Sequence, residues 1–316
     1  MSASRARIRA GALVLALSIL GLLAGSSGAS AAYQVVSPDQ VLGARSILSP
    51  GSIPFQPTVE RIAPDPLEAG SDKPKTWDDG CVAWRTKVEL PACAYGVQDS
   101  ETNVVLMGDS RAMQYFPPLE AVADERGWRL VNLIRVDCFV ASVKSTDRHC
   151  DTWRDNMLRR IVRSEKPDLV ILSTATKRSY TVKVGGQTLD RPRSQPHLVE
   201  GMKKTIKRLR NAGARVIVVR DQSLAPFRPS ECVAQNPDQL KRCAFPPRPR
   251  GPRAFEQKAA RATGTRVLDP QPMFCSSSRC PAVIGDMAVY LDTYHLTSTY
   301  SATLSDWFAD RLPLNP

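Results

Sequence analysis

Five short apolar segments alternate with helical patterns along the chain, and this alternation is the feature that most constrains its fold. Continuous apolar runs are typical of strands that are buried on both faces of a sheet. Strands that alternate with helices predict an α/β fold, in which helices cover both faces of a central parallel sheet of about five strands. The predicted strands are 103–107, 129–134, 168–173, 215–220 and 266–268. The predicted helices are 112–126, 152–164, 197–212, 255–263 and 297–312.

A serine lies where the first predicted strand turns into a helix, in the sequence Gly108-Asp109-Ser110. Ligands of such sheets bind outside the carboxyl ends of the strands, so this position suits a nucleophile. Glycine permits a tight turn and the close approach of a substrate. The Ser110 N–H at a helix start, together with Gly108, is a candidate donor to a developing oxyanion. The plainer alternative is that Asp109 or Ser110 only caps the helix.

A histidine near the end of the chain follows an acid by three residues, as Asp292 and His295. A serine hydroxyl needs a neighbouring base to take its proton, and the base needs an acid to orient it. The chain has three histidines, and the other two, His149 and His197, lie in a predicted disulfide loop and at a predicted helix start. The sequence therefore predicts Ser110 as nucleophile, His295 as base and Asp292 as its partner.

The first 31 residues have the pattern of an export signal. Three arginines, at positions 5, 7 and 9, precede an apolar run from Gly11 to Ala24, and Ala29-Ser30-Ala31 offers small residues for cleavage. We predict cleavage after Ala31, and an uncleaved N-terminal anchor is the alternative. In either case the rest of the chain is expected outside the cytoplasm, as a secreted, periplasmic or cell-wall-associated protein.

Two further regions follow the predicted signal. Residues 32–77 contain many prolines and lack apolar periodicity, which predicts an extended tether. Residues 78–316 are predicted to form one domain. Two insertions within it, at about 177–195 and 221–252, are rich in Arg, Pro and Gly and are expected to line the rim of the site.

Eight cysteines occur as four close sequential couples, which an exported chain can keep oxidised. Sequential pairing is our prediction because each couple brackets a predicted loop, although eight cysteines allow 105 connectivities. A metal site is disfavoured because no Cys-x-x-Cys motif is present. The couples are Cys81 and Cys93, Cys138 and Cys150, Cys232 and Cys243, and Cys275 and Cys280.

The chain is strongly basic, with a formal net charge of +12. Removal of residues 1–31 deletes three arginines and no acid, which leaves 12 − 3 = +9. This charge favours anionic envelope polymers or lipid head groups as surroundings. Nucleic acid is not expected, because the charge is dispersed and the chain is predicted to be exported.

The arginines and lysines of the two insertions are mainly expected to be solvated, and a rim that holds an anionic glycan is the alternative. Trp153, Tyr180 and Tyr115 are candidates for stacking on sugar rings, with packing as the plainer reading. The basic residues concerned are Arg178, Lys183, Arg191, Arg193, Arg248, Arg250 and Arg253.

Three stretches resemble the SGNH (GDSL-type) hydrolases, and most closely the SGNH domains attached to membrane acyltransferases of the acyltransferase-3 family. They are Val-Leu-Met-Gly-Asp-Ser-Arg-Ala-Met-Gln-Tyr-Phe-Pro-Pro-Leu at 105–119, Lys-Pro-Asp-Leu-Val-Ile-Leu-Ser at 166–173, and Tyr-Leu-Asp-Thr-Tyr-His-Leu-Thr at 290–297. The resemblance covers about residues 78–313. It implies a Ser-Asp-His triad on a flavodoxin-like three-layer α/β/α sandwich. It also implies chemistry on acyl esters of carbohydrate hydroxyls, with no metal or organic cofactor.

The chain departs from that family in two places. The fused-domain relatives usually carry histidine after the nucleophile, where this chain has Arg111, so Asp109 and Arg111 are candidate substrate-binding residues. The broader family takes oxyanion donors from a Gly and an Asn on later loops, and no Gly-x-Asn-Asp follows the third strand here. Thr174 and Thr176 are the candidate replacements, and loop capping is the alternative.

The α/β-hydrolase fold is rejected as an explanation of Gly108-Asp109-Ser110-Arg111-Ala112. That fold places its serine after several strands, and its acid and histidine normally lie on different loops. The predicted function is instead an exported serine esterase or O-acyltransferase that acts on O-acyl groups, of acetyl type, of an envelope glycan. A membrane acyltransferase is a candidate partner. The alternatives are a catalytically weak or inactive glycan-binding module and, more weakly, a lipid esterase.

Overall fold

A computed structural model describes residues 33–176, 180–247 and 254–316. The predicted export signal lies outside the described residues, as do Arg178, Arg248, Arg250 and Arg253. Within the described ranges, no helix is long and apolar enough to cross a membrane.

The central sheet has seven strands. Its five longer strands are all parallel. They are β5 (Asn103–Gly108), β6 (Arg129–Arg135), β7 (Leu169–Ser173), β10 (Arg215–Val219) and β11 (Arg266–Leu268). Their order in the sheet is β6-β5-β7-β10-β11. In chain order this is 2-1-3-4-5, the flavodoxin-like arrangement.

Two short strands, β3 (Val82–Ala83) and β4 (Ala94–Gly96), extend the sheet beside β6, the first parallel and the second antiparallel. Three two-stranded ladders lie outside the central sheet. They pair β1 (Gln34–Val35) with β2 (Arg61–Ile62), β8 (Lys183–Val184) with β9 (Gln187–Thr188), and β12 (Val283–Ile284) with β13 (Met287–Ala288).

Helices cover both faces of the sheet, which gives three layers. The helices are α1 (Ser110–Met113), α2 (Phe116–Arg126), α3 (Arg148–Arg160), α4 (Arg191–Asn211), α5 (Pro229–Gln235), α6 (Phe255–Ala262), α7 (Ser298–Ala302) and α8 (Ser305–Ala309). Successive side chains of a strand point to opposite faces. Accordingly, Val104 and Leu106 of β5 belong to the core that includes α2 and α8, whereas Val105 and Met107 belong to the core that includes α3, α4 and α6. This confirms the predicted fold class.

All five predicted strands are present, with their ends shifted by at most one residue. The two short strands β3 and β4 were missed by the sequence analysis. Strands of two or three residues are too short to show an alternation of apolar and polar residues. The predicted helix 297–312 is broken into α7 and α8, and the predicted helix 112–126 is broken near Gln114, just before Pro117 and Pro118. Helix α4 begins six residues earlier than predicted and accommodates Pro196 near its start.

The proline-rich segment is not an extended tether, and this corrects the sequence prediction. Tyr33, Val59 and Ile62 are buried in a cluster with residues of α5 and of β12 and β13. Val41 and Ile47 join the main core. Prolines prevent a helix here, but they do not prevent the scattered apolar residues from being buried against the domain. Residues 33–77 are therefore part of the same compact unit as the sheet.

Four disulfides link sequential cysteines: Cys81 to Cys93, Cys138 to Cys150, Cys232 to Cys243, and Cys275 to Cys280. No cysteine is left free in the described ranges. Each bond closes a loop of 5 to 12 residues. Four such bonds fit an exported protein.

Candidate active site

Ser110 lies where β5 passes into α1, at the carboxyl edge of the sheet. The strand makes this turn at Gly108, which is in register with Ser173 of β7. A Cβ added at Gly108 would lie 1.9 Å from the Ser173 carbonyl oxygen, so only glycine fits. The neighbouring strands β5 and β7 flank the point where the strand order reverses, which is the usual ligand site of this sheet type.

Ser110, His295 and Asp292 form one continuous chain of hydrogen bonds. The Nε2 atom of His295 lies 2.8 Å from the Ser110 Oγ atom. On the other side of the ring, Nδ1 lies 2.9 Å from Oδ2 and 3.1 Å from Oδ1 of Asp292. Ser110 is buried, whereas the side chains of His295 and Asp292 are 22% and 26% exposed. A substrate can therefore approach from the side of the histidine.

The turn that contains both Asp292 and His295 is closed by the acid itself. Its Oδ1 atom accepts the backbone N–H groups of Tyr294 at 2.6 Å and His295 at 2.7 Å. Burial alone would raise the pKa of Asp292, but the hydrogen bond and charge of His295 and these two N–H donors lower it to about 2. The carboxylate is thus charged at neutral pH and able to fix the tautomer of the histidine.

Two glutamines that the sequence analysis did not single out hold this turn against α1. The Oε1 atom of Gln114 accepts the Leu296 N–H at 3.1 Å, and its Nε2 donates to Gln222 at 2.9 Å. Gln222 in turn donates to the Tyr294 carbonyl at 3.2 Å. Gln114 follows Ser110 by four residues, one helical turn, and that spacing was the available signal.

Asp109 does not lie where a substrate can touch it, which corrects one sequence prediction. Its side chain is fully buried beneath the nucleophile. It accepts the backbone N–H groups of Arg111 and Ala175, both at 2.8 Å, and the hydroxyls of Thr174 and Tyr180 at 3.1 and 3.0 Å. Burial raises its pKa, and the two backbone donors oppose this shift. Asp109 caps α1 and ties β5 to the loop after β7.

Arg111 is also buried, with 1% of its surface exposed, so a substrate-binding role does not follow from its position. Its Nε atom lies 2.9 Å from the Asp221 carboxylate, in an ion pair that water hardly reaches. The Nη1 atom is buried and has no hydrogen bond in the described part of the chain. On another side the guanidinium lies 6.0 Å from the centre of the Tyr294 ring. Asp221 was missed, although an acid two residues beyond the end of β10 lies at the expected edge.

The hydroxyls of Thr174 and Thr176 are already engaged in hydrogen bonds to buried carboxylates. Thr174 donates to Asp109 at 3.1 Å. Thr176 donates to Asp221 through its hydroxyl at 2.8 Å and through its N–H at 2.9 Å. Each hydroxyl has one proton to give, so this arrangement does not support the two hydroxyls as oxyanion donors, and the role of Thr174 and Thr176 stays a prediction.

The backbone N–H of Ser110 makes no hydrogen bond to any residue that the structure describes. It is therefore available to an oxyanion at the start of α1. Gly108 lies within the ladder between β6 and β7, and an oxyanion role for it stays a prediction.

The aromatic candidates for sugar stacking are core residues. Trp153 and Tyr115 are fully buried, and Tyr180 is buried against Phe139 and bonded to Asp109. Tyr294, which is 42% exposed, is an aromatic residue that lies beside His295 at the site. Among the basic loop residues, Lys183 is exposed and Arg193 pairs with Asp190 at the surface.

No group of three or more potential metal ligands occurs within residues 33–176, 180–247 and 254–316. The site is thus a serine-histidine-acid arrangement at the edge of a flavodoxin-like sheet.

Comparison with known proteins identifies the family. The sequence model of the SGNH domain fused to AT3 domains matches residues 77–310, well over half of the chain. The chain therefore belongs to the SGNH domain family, as its motifs predicted. A search of curated proteins found no match.

Among solved structures, the fold is similar to that of the periplasmic domain of a lipopolysaccharide acetyltransferase from Salmonella ser. Paratyphi A. The two are 16% identical, with a TM-score of 0.52, over 68% of this chain and 85% of that one. A GDSL-like lipase from Bacteroides thetaiotaomicron is 13% identical, with a TM-score of 0.40, over 68% of this chain and 90% of that one. A carbohydrate acetylesterase family member from Sinorhizobium meliloti is 11% identical, with a TM-score of 0.39, over 66% of this chain and 96% of that one.

Proposed function

We propose that this protein is an exported serine esterase or O-acyltransferase that acts on O-acyl groups of a cell-envelope glycan. The observation that carries the proposal is the unbroken Ser110–His295–Asp292 hydrogen-bond chain. A hydroxyl that donates to an imidazole, which in turn is held by a charged carboxylate, is the arrangement that activates a serine for acyl transfer.

In the proposed reaction, Ser110 Oγ attacks the acyl carbonyl while His295 Nε2 takes its proton. Asp292 stabilises the imidazolium that forms. His295 then returns the proton to the leaving sugar alkoxide, which gives an acyl-Ser110 intermediate. Water, or a second sugar hydroxyl activated by His295, attacks that ester and releases Ser110. Water as acceptor gives hydrolysis, and a sugar hydroxyl gives transfer.

The tetrahedral intermediate needs hydrogen-bond donors, and the Ser110 N–H is the one that the geometry favours. One such donor typically contributes about 2.7–4 kcal/mol to transition-state stabilisation. Because the two threonine hydroxyls are engaged elsewhere, we expect a slow esterase, or a transferase whose further donors arrive with its partner.

The SGNH domains of this family are fused to AT3 domains, which supports a membrane acyltransferase as the partner of this chain. The similar Salmonella structure is described as the periplasmic domain of an acetyltransferase. The four disulfides and the positive charge support an exported protein that works among anionic envelope polymers.

The proposal is tested by p-nitrophenyl acetate hydrolysis with the purified, oxidised mature protein. We expect activity in the wild type, and its loss in both Ser110→Ala and His295→Ala. Ser277→Ala removes an exposed hydroxyl and is the matched control, which should stay active. Activity that survives Ser110→Ala would exclude this nucleophile.

A second candidate is a non-catalytic module that binds envelope glycan or assists a membrane acyltransferase. The engaged threonine hydroxyls favour it, because the expected oxyanion donors are absent from the described loop after β7. Labelling by a fluorophosphonate separates the two candidates: an activated Ser110 reacts covalently and is found modified by mass spectrometry, whereas an inert module stays unlabelled.

A further inference from the structure

A cavity of about 470 Å³ opens at the amino edge of the central sheet, opposite to the edge with Ser110. It lies where β7, β10 and β11 begin, next to Leu169, Arg215 and Arg266. A strand of five or six residues is about 17–20 Å long, so the cavity is well separated from the catalytic edge. Its volume is in the range of ordinary small-molecule sites.

Three arginines line this cavity: Arg210, Arg215 and Arg266. In the described part of the chain, no carboxylate lies within 4.0 Å of any of the three guanidinium groups. The nearby acid Asp168, which precedes β7, is turned to the neighbouring strand, where it accepts the Asn103 N–H at 2.8 Å. Among residues 33–176, 180–247 and 254–316, the cavity therefore has three positive charges and no carboxylate within ion-pair distance of them.

Two of the arginines are held in place by backbone carbonyls. Arg210 donates to the carbonyls of Thr263 at 2.6 Å and Gly264 at 3.2 Å, at the end of α6. Arg215 donates to the carbonyl of Asn315 at 3.0 Å. Each guanidinium has five N–H donors, so most of them remain for a ligand. Fixed arginines are well suited to phosphate, because they bind its oxygens in pairs.

The cavity also offers apolar surface. Pro313 is a partly exposed apolar residue of its wall and suits the C–H face of a sugar ring, whereas Leu169 and Ile217 are buried. A bare phosphate would fill only a small part of this volume. The shape and chemistry together indicate a ligand that joins an oxyanion to a ring-sized body.

We propose that this cavity is a second binding site, which takes a phosphate group carried on a sugar-sized molecule. Binding here would hold a phosphorylated envelope polymer, or a phosphate-bearing head group, on the opposite edge of the sheet from Ser110. The proposal does not depend on catalysis at Ser110.

The test is calorimetric titration of the mature protein with glucose 1-phosphate, and with glucose as the uncharged comparison. We expect binding of glucose 1-phosphate alone, and about tenfold or greater weakening in the double variant Arg215→Gln/Arg266→Gln. The matched control, Lys241→Gln/Arg242→Gln, removes the same charge beside another cavity, which is lined by Phe55 and Asp238. It should bind like the wild type.

Co-sedimentation with phosphatidylglycerol vesicles, against phosphatidylcholine vesicles, distinguishes the source of the phosphate. Vesicle binding that is lost in Arg215→Gln/Arg266→Gln but kept in the control would assign the site to a lipid head group. If both double variants weaken ligand binding equally, the effect comes from overall charge, and the proposed binding site is wrong. Absence of binding to both probes at millimolar concentration would overturn it as well. Thermal unfolding of both double variants checks that each remains folded.

Discussion

The carboxylate of Asp72 accepts the backbone N–H of Thr299 at 2.9 Å, and the Asp72 carbonyl accepts that of Ser298, also at 2.9 Å. Asp72 lies before the family-matched region, whereas Ser298 and Thr299 open α7, three residues after His295. The N–H groups at the start of α7 are thus satisfied by the proline-rich segment. This segment braces the turn that presents the candidate base.

We expect Asp72→Ala to lower both stability and turnover. Loss of a helix-capping acceptor costs about 0.5–2 kcal/mol, and the first turn of α7 would loosen beside His295. Urea unfolding and ester hydrolysis measure the two effects. Asp39→Ala, at an exposed position of the same segment, is the matched control and should change neither. Unchanged turnover in Asp72→Ala would show that the bracing is not needed at the site.

The parts of this structure that the sequence predicted are those set by local pattern and topology. The five parallel strands are continuous apolar runs, and parallel order brings Ser110 and the Asp292–His295 turn to one edge. Asp221 and Gln114 were missed, because their partners lie 45 to 182 residues away and only tertiary packing brings them together. The proline-rich segment was misjudged for the same reason: its burial depends on surfaces that other elements supply.

Asp292→Asn should keep the shape of the catalytic turn and lose most of its activity. The asparagine oxygen still accepts the N–H groups of Tyr294 and His295, but its amide cannot stabilise the imidazolium or fix the same tautomer. In well-studied serine enzymes this change lowers kcat by about 10⁴-fold, and a loss of at least about 100-fold is expected here. Steady-state kinetics measure it, with the exposed Asp310→Asn as control. A loss below tenfold would remove Asp292 from the proposed mechanism.

Gly108→Ala should be among the most damaging small substitutions in the chain. Its Cβ would lie 1.9 Å from the Ser173 carbonyl oxygen and 2.6 Å from the Ala112 Cβ. Since both neighbours belong to packed elements, β5 and β7 must separate, and a loss of about 3 kcal/mol or more is expected. Gly70→Ala is the matched control, because nothing lies within 4 Å of the added Cβ. Equal unfolding midpoints for the two variants would contradict the close approach of Gly108 to the Ser173 carbonyl.

Glu256 makes the stability of the protein depend on pH. It is fully buried near the start of α6, and burial, followed by the charge of Asp221, raises its pKa to about 8 from the ordinary 4.5. The folded state therefore prefers the protonated acid, and its stabilising contribution is complete below pH 4.5 and lost as pH rises through 8. We expect Glu256→Gln to be more stable than the wild type at pH 9, by more than about 1 kcal/mol, with a smaller difference at pH 5. Denaturant unfolding at both pH values measures this, and the exposed Glu125→Gln should show no such change.

The Arg111–Asp221 pair should matter far more to stability than an exposed pair of the same type. Both side chains are buried, at 1% and 4% exposure, so removal of the arginine takes this positive charge away from the Asp221 carboxylate in a dry environment. Breaking a buried pair in this way costs about 3–5 kcal/mol. Arg228 and Glu231 form a pair in which both side chains are more than half exposed, and such pairs contribute about 0–1 kcal/mol. We therefore expect Arg111→Met to reduce the free energy of unfolding severely and Arg228→Met to have little effect.

Addition of Asp221→Asn to Arg111→Met should restore part of the lost stability. It removes the buried charge, while the asparagine amide oxygen can still accept the Thr176 hydroxyl. If Arg111→Met and Arg228→Met lose the same small amount in urea unfolding, the pair is open to water and its proposed structural role is wrong.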